Sequence, residues 1–144
     1  EGIPEPVRGE AAIGAVTGGS ETILLVEDED MVRALAKDIL KMNGYKVLEA
    51  AHGNAALDLS RAYDGPIALM LTDVVMPAMN GHELYEKLAP LRPGMRVLYM
   101  SGYAESGIVH GGAIDPGTAF ISKPFTPDAL AAKVRAILDA AGRN

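Results

Sequence analysis

Short apolar segments alternate with helix-period segments five times within this 144-residue chain. The apolar segments are four to six residues long and rich in leucine and β-branched residues: 22–26, 46–50, 67–72, 96–100 and 118–121. Their apolar residues are nearly continuous, which is typical of parallel strands that are covered by helices on both faces. We therefore predict an α/β fold with an open, doubly wound sheet of five parallel strands and right-handed crossovers.

Two of the intervening segments have strong helical periodicity. The first ends at Gly44, which is placed as a C-terminal cap, and its apolar residues share one helix face: Val32, Leu35, Ala36, Ile39 and Leu40. In the last helix we expect Thr126 as N-cap and Pro127 as the first helical residue. Its apolar face contains Leu130, Val134, Ile137, Leu138 and Ala141. Shorter amphipathic patterns predict helices over residues 54–62 and 82–91.

The segment 104–113 has the weakest helical pattern. It contains three glycines, and each costs about 1 kcal/mol relative to alanine in a helix interior. Its two large apolar residues, Ile108 and Val109, are adjacent and cannot form a stripe along one face. We expect this helix to be the least ordered part of the folded body.

The domain limits follow from a change in composition near residue 20. Residues 1–20 are rich in glycine, proline and glutamate without a sustained period, which predicts a largely unstructured linker. We place the folded domain at residues 21–141 and a short tail at 142–144. Because the chain begins with glutamate, we expect it to be part of a longer protein.

Charge and composition exclude several classes of function. Lys and Arg number 13 against 19 Asp and Glu, so the net charge of −6 gives no electrostatic drive toward nucleic acid. The longest apolar run, residues 67–71, is far shorter than the ~20 residues of a membrane helix, so we expect no membrane contact by this segment. There is no cysteine and no secretory signal, so we expect a cytoplasmic location, in a parent protein that could be membrane-anchored.

Polar side chains follow four of the five predicted strands. Glu27 and Asp28 follow the first, Asp73 the third, Ser101 the fourth and Lys123 the fifth. Ligands of open α/β sheets bind at the carboxyl ends of the strands. We therefore expect these five side chains to form one site.

Three carboxylates at one sheet edge repel one another unless a cation lies among them. A hard divalent cation that prefers oxygen ligands fits this cluster, Mg²⁺ first, with Mn²⁺ as a substitute. The lysine and the hydroxyl beside it could hold phosphoryl oxygens, and a metal-bound carboxylate can accept a phosphoryl group. The sequence thus points to phosphoryl transfer.

Four motifs together resemble the signatures of the response-regulator receiver domain of two-component systems. They are ILLVEDED, LTDVVMPAMNG, YMSGYA and FISKPF, in this order. The resemblance extends from Glu21 to about Ala141. It implies a flavodoxin-like sheet with strand order 2-1-3-4-5 and helices on both faces.

The resemblance also implies a role for each residue of the site. Asp73 is the phosphoacceptor, and Ser101 and Lys123 hold the phosphoryl group. The implied metal ligands are the carboxylates of Glu27, Asp28 and Asp73 and the main-chain carbonyl of Val75. Within the acidic pair, Asp28 is expected to bind the metal more directly than Glu27. Glu27 stands where an aspartate is more frequent, so its reach to the metal is longer.

Two further features near the fifth strand follow from the resemblance. Phe120 takes the aromatic switch position that works with Ser101. Many relatives have tyrosine there, so switching in this chain would depend on burial of the ring. The bond before Pro124 is expected to be cis, because a cis-proline turns the Lys123 ammonium back toward Asp73.

The implied function is that of a phosphoacceptor in a phosphorelay. The expected partner is a histidine kinase or its phosphohistidine domain, in the same polypeptide or another, or a histidine phosphotransfer protein; a weak homodimer is left open. The domain itself has at most self-phosphorylation and autodephosphorylation chemistry, so whether to class it as an enzyme stays open.

The linker favours the receiver of a hybrid sensor histidine kinase, with no DNA-binding domain following it. The alternatives are a stand-alone single-domain response regulator and a degenerate receiver that serves as a protein-interaction module. Asp28, Asp73 and Lys123 argue against the degenerate receiver, since all three functional positions are intact.

Overall fold

A computed structural model describes residues 18–102 and 119–142, which contain five strands and four helices. In chain order these are β1 Thr22–Val26, α1 Asp30–Met42, β2 Lys46–Ala50, α2 Gly53–Ala62, β3 Leu69–Asp73, α3 Gly81–Leu88, β4 Arg96–Ser101, β5 Ala119–Ser122 and α4 Pro127–Gly142. All neighbouring strands are parallel, and their order across the sheet is β2-β1-β3-β4-β5. This confirms the predicted doubly wound, flavodoxin-like sheet with the order 2-1-3-4-5.

Each face of the sheet buries its own core, because successive strand residues point to opposite faces. Ile23 and Leu25 of β1 lie in the core under α1 and α4. Further members of this core are Ile39, Leu40, Leu69, Leu71, Leu98, Leu130 and Val134. Leu24 and Val26 lie in the opposite core, together with Ala56, Leu57, Met70, Leu84 and Leu88 from β3, α2 and α3. The predicted helical cover on both faces is confirmed.

The predicted helix caps are confirmed, but one predicted core residue is wrong. The Ala129 amide donates to Thr126 Oγ1 at 3.1 Å, and Gly44 follows α1 with φ +95°. Leu35 is 47% exposed. It lies at the edge of the apolar face of α1, outside the core in which Ala36, Ile39 and Leu40 pack against the strands and α4.

Element ends differ from the sequence-based expectations by one to three residues. The predicted third strand began at residue 67, but β3 begins at Leu69, while Ile67 still buries its side chain. The predicted third helix ran to residue 91, but α3 ends at Leu88. Pro90 explains this end, because it has no amide hydrogen to donate to the preceding turn.

Residues 18 and 19 lie against the folded body. Arg135 of α4 donates to the Gly18 carbonyl at 3.1 Å, and the Gly19 amide donates to the Asn43 carbonyl at 3.0 Å. Residues 1–17 of the predicted linker lie outside the described residues, as does the segment 104–113 with its predicted weak helix. None of the helices in the described ranges is long and apolar enough to cross a membrane.

Candidate functional site

The carboxyl ends of the strands bring the predicted site residues together at one edge of the sheet. Glu27 and Asp28 follow β1, and Asp73 is the last residue of β3. Each of the three offers a carboxylate oxygen, and these oxygens all lie within 4.8 Å of one another. Lys123 follows β5 directly, and its ammonium contacts this cluster.

Asp73 is held rigidly in the interior. It is 2% exposed, and it pairs with Met100 in the ladder between β3 and β4. Gly81, at the start of α3, lies directly against its main-chain carbonyl, where any Cβ atom would clash. The Gly81 amide also donates to the Val74 carbonyl at 2.9 Å. The glycine therefore lets α3 begin directly beside the acid and fixes the backbone that carries it.

Lys123 links two of the carboxylates. Its Nζ lies 2.7 Å from Asp73 Oδ1 and 3.5 Å from Glu27 Oε1. Burial by itself lowers the pKa of this ammonium, but the contacts with Asp73 and then Glu27 outweigh it, so that the pKa is raised. Lys123 is therefore a fixed positive charge at the sheet edge.

The Asp73 carboxyl has an unusually high proton affinity. Its Oδ1 atom is buried and accepts no hydrogen bond of ordinary geometry within the described part of the chain, although it forms the ion pair with Lys123. Burial, followed by the neighbouring Glu27, raises the pKa of Asp73 to about 8 against the partly compensating Lys123. The three carboxylates thus carry more negative charge than one ammonium balances.

Glu27 is completely buried, and its side chain organises the turn that follows β1. Its Oε2 accepts the Glu29 amide at 2.9 Å, and its Oε1 accepts a hydrogen bond from Lys123 at 3.5 Å. Asp28 is exposed beside it. The pair therefore combines one immobilised carboxylate with one that solvent reaches.

The donor set fits a hard divalent cation. One oxygen from each of three carboxylates lies within 4.8 Å of the others, and Asp73 Oδ1 is buried, paired with the Lys123 ammonium but without a hydrogen-bond partner among the described residues. Oxygen ligands of this kind are preferred by Mg²⁺ and Mn²⁺. Val75, the residue predicted to supply a main-chain carbonyl, lies two residues beyond β3 in the adjoining loop and is 46% exposed.

Ser101 lies on β4, the strand between β3, which ends at Asp73, and β5, which precedes Lys123. It is the last residue of β4 and is 8% exposed. The Lys123 amide donates to its carbonyl at 2.9 Å. Phe120 is half-buried on the neighbouring strand, and its ring stacks on Tyr99 with centroids 5.5 Å apart. The Lys123–Pro124 bond is cis, as expected.

Sequence reasoning assigned no role to two residues that shape this site. Gly81 is the last residue of the LTDVVMPAMNG motif, but its close approach to Asp73 depends on the tertiary fold and has no signal in the sequence. Arg33 of α1 donates to the Glu27 carbonyl at 2.8 Å. In the sequence, this contact is indicated only by the position of Arg33, which lies on the first turn of α1 shortly after the acidic residues 27–30.

Comparisons with known proteins agree with this geometry. The family model of the response regulator receiver domain matches residues 23–135, more than half of the chain. Sensor kinase CckA of Brucella abortus (strain 2308) is 39% identical over 121 residues, which are 84% of this chain and 13% of that kinase. The response regulator receiver protein CpdR of the same organism is 30% identical over 119 residues, 83% of this chain and 98% of CpdR.

A solved structure supports the same relationship. The receiver domain from the hybrid histidine kinase CckA matches with a TM-score of 0.68 and 35% identity, covering 81% of this chain and 98% of that one. Fold, strand order, family model and relatives all agree. The chain belongs to the response regulator receiver family of two-component systems.

Proposed function

We propose that this receiver accepts a phosphoryl group on Asp73 from a phosphohistidine of a partner kinase, with Mg²⁺ bound beside it. The observation that carries the proposal is the 2.7 Å contact of Lys123 Nζ with Asp73 Oδ1 next to two further carboxylates. A fixed cation on an acceptor oxygen, with room for a divalent ion among the acids, suits stabilisation of a phosphoryl group by charge and position.

The metal ligands in this proposal are the carboxylates of Glu27, Asp28 and Asp73 and the main-chain carbonyl of Val75. A bound divalent cation supplies positive charge that keeps Asp73 ionised against its raised pKa and offsets charge on the phosphoryl oxygens. Mn²⁺ has the same ligand preference and serves as a substitute.

Transfer requires few steps from the protein. An Asp73 carboxylate oxygen attacks the phosphorus in line with the donor's histidine; a P–O bond forms and the P–N bond breaks. The imidazole leaves with the electron pair and takes up a proton from solvent. In this proposal Lys123 and Ser101 hold the phosphoryl oxygens.

The new phosphoryl group then biases a switch made of Ser101 and Phe120. Attraction of the Ser101 hydroxyl to the phosphoryl oxygens shifts the end of β4, and the half-buried Phe120 ring beside Tyr99 moves further inward. Because phenylalanine has no hydroxyl, ring burial alone stabilises the switched state.

The test is phosphorylation by acetyl phosphate, followed by intact mass spectrometry. We expect one added phosphoryl group with Mg²⁺ or Mn²⁺, none with a chelator, and none in Asp73→Asn. Asp64→Asn is a matched control, since Asp64 is an exposed aspartate outside the cluster. Undiminished uptake in Asp73→Asn, or in the chelator, contradicts the proposal. Failure of the wild-type chain to react would favour the degenerate receiver that acts only as an interaction module.

We further propose that the receiver, residues 21–141 between a linker at 1–20 and a tail at 142–144, is part of a cytoplasmic region of a hybrid sensor histidine kinase. The 39% identity with a sensor kinase supports this. Its partners are the phosphohistidine domain of that kinase or a histidine phosphotransfer protein, and not nucleic acid.

The match to CpdR over 98% of its length supports the alternative of a stand-alone regulator. Sequencing the parent gene on both sides of this stretch distinguishes the two. Kinase-type histidine and ATP-binding regions upstream support the hybrid, whereas a start codon shortly before residue 1 supports the stand-alone protein.

A further inference from the structure

Arg33 makes three contacts at the edge of the acidic cluster without belonging to it. Its Nη1 donates to the Glu27 main-chain carbonyl at 2.8 Å, and its Nη2 donates to Asp30 Oδ1 at 2.7 Å. Its Nε lies 3.4 Å from Glu49 Oε1 on β2. The side chain is 19% exposed. One guanidinium therefore ties the turn after β1 to α1 and to the neighbouring strand.

The Glu27 carbonyl belongs to the peptide group that joins Glu27 to Asp28. The preceding amide of Glu27 is held by the Ala50 carbonyl at 3.1 Å, and Arg33 holds the carbonyl. The side chain of Asp28 is exposed, so its direction depends on the backbone that carries it. If the Glu27–Asp28 peptide rotated, the Asp28 carboxylate would leave the oxygen cluster.

We propose that Arg33 is a positioning residue for the divalent cation site: it fixes the Glu27–Asp28 peptide and so directs Asp28 toward the ion. This inference rests on the metal site of the proposed function. Partners that orient metal ligands from outside typically contribute 10–100-fold to metal affinity.

Charge and position predict opposite outcomes when Arg33 is replaced. Loss of a positive charge beside a cation site strengthens the attraction of Mg²⁺ for the carboxylates. Loss of the hydrogen bond to Glu27 releases the turn and weakens binding. Lys37, one turn further along α1, pairs with the same Glu49 at 3.1 Å, so Lys37→Gln removes the same charge as a matched control.

The experiment is calorimetric titration of the chain with MgCl₂. Arg33→Gln should weaken binding about tenfold or more, while Lys37→Gln should leave it unchanged or tighter. Arg33→Lys keeps the charge but lacks the fork that reaches Glu27, Asp30 and Glu49 together, and it should still bind several-fold more weakly. In metal-free protein, amide exchange at residues 28–30 should quicken in Arg33→Gln and stay unchanged in Lys37→Gln.

Wild-type affinity in both Arg33 variants, or unchanged exchange at residues 28–30, overturns the inference. If circular dichroism shows that Arg33→Gln is unfolded, the Mg²⁺ affinity of Arg33→Lys alone tests the positioning role. If the wild-type chain itself binds no Mg²⁺, the metal site of the proposed function falls as well. If the wild type and the Arg33 variants bind Mg²⁺ equally well, the metal site stands and only the positioning role of Arg33 is refuted.

Discussion

Replacing Asp73 with asparagine should make the metal-free protein more stable, although it removes the central residue of the site. Asp73 is buried within 4.8 Å of the oxygens of two other acids, and its ionised form repels both. Asparagine has nearly the same shape and no charge. Lys123 loses one partner in the variant but keeps Glu27 at 3.5 Å and Glu29 at 3.9 Å.

The size of the effect follows from the raised pKa of Asp73. A rise of this pKa from 3.8 to about 8 sets an upper limit of about 6 kcal/mol at 1.36 kcal/mol for each pKa unit. Water penetration and movement of the side chains reduce this, and we expect about 1–3 kcal/mol. Between the two pKa values the folded state binds more protons than the unfolded state, so the free energy of unfolding of the wild type falls as pH rises. The advantage of Asp73→Asn should therefore grow from about pH 4 to pH 8 and then level off.

Urea denaturation of both proteins in a chelator, across this pH range, measures the difference. Asp64→Asn is the control for removal of an exposed charge and should change stability by less than ~0.5 kcal/mol. Adding Mg²⁺ at a concentration far above its Kd should reverse the order, because the ion stabilises the folded wild type by RT ln(1 + [Mg²⁺]/Kd) and binds the variant, which has one carboxylate fewer, more weakly. An Asp73→Asn variant that is less stable than wild type at every pH in the chelator would refute the repulsion argument.

Three further substitutions test packing, two of them beside the site and one at the end of α2, each by urea denaturation. Gly81→Ala forces a Cβ against the Asp73 carbonyl and should lower the free energy of unfolding by about 1–3 kcal/mol. Gly94→Ala is the control: open space surrounds Gly94, so the loss should be less than ~0.5 kcal/mol. Equal losses in the two variants would contradict the close approach of Gly81 to Asp73. Ala78→Gly should stabilise the fold by about 0.5–1 kcal/mol, because Ala78 has φ +69°, a left-handed conformation that strains a residue with a Cβ atom. Ala89→Gly is the control and should destabilise, because Ala89 has an ordinary φ of −56°. A loss of stability in Ala78→Gly would contradict backbone strain at this position. Arg92→Met should lower the free energy of unfolding by about 2–4 kcal/mol, because Arg92 donates to the carbonyls of Ser60, Tyr63 and Gly65 at 2.8 Å. Arg61→Met is the control and should change stability little, because the Arg61 side chain is 63% exposed. A small loss in Arg92→Met would show that water replaces the guanidinium as the donor to these carbonyls.

The sequence predicted the sheet and the site because both depend on local signals. Continuous apolar runs marked the strands, and parallel strands necessarily bring their carboxyl ends to one edge. Asp73 and Lys123 could therefore be placed together although they are 50 residues apart, and their ion pair at 2.7 Å agrees.

Other features depend on distant contacts, which periodicity does not encode. Leu35 has the spacing of a core residue, but neither the sheet nor α4 covers it, and it is 47% exposed. Arg92 caps the end of α2 from beyond α3, and Arg33 reaches both β2 and the turn after β1. Neither arginine differs in the sequence from an ordinary surface residue. Pro90 indicates in the sequence that α3 ends before it, since proline rarely continues a helix. The apolar Leu91 nevertheless led to the prediction of a longer helix.

The most direct test of the central claim is chemical mapping of the phosphorylated residue. The wild-type chain is treated with acetyl phosphate and Mg²⁺, reduced with borohydride to convert an acyl phosphate into homoserine, and sequenced by tandem mass spectrometry. We expect homoserine at position 73, absent when Mg²⁺ is chelated. Homoserine at Asp28 or at any other acid, or its absence from a chain that has gained a phosphoryl group, would contradict the assignment of Asp73 as the phosphoacceptor.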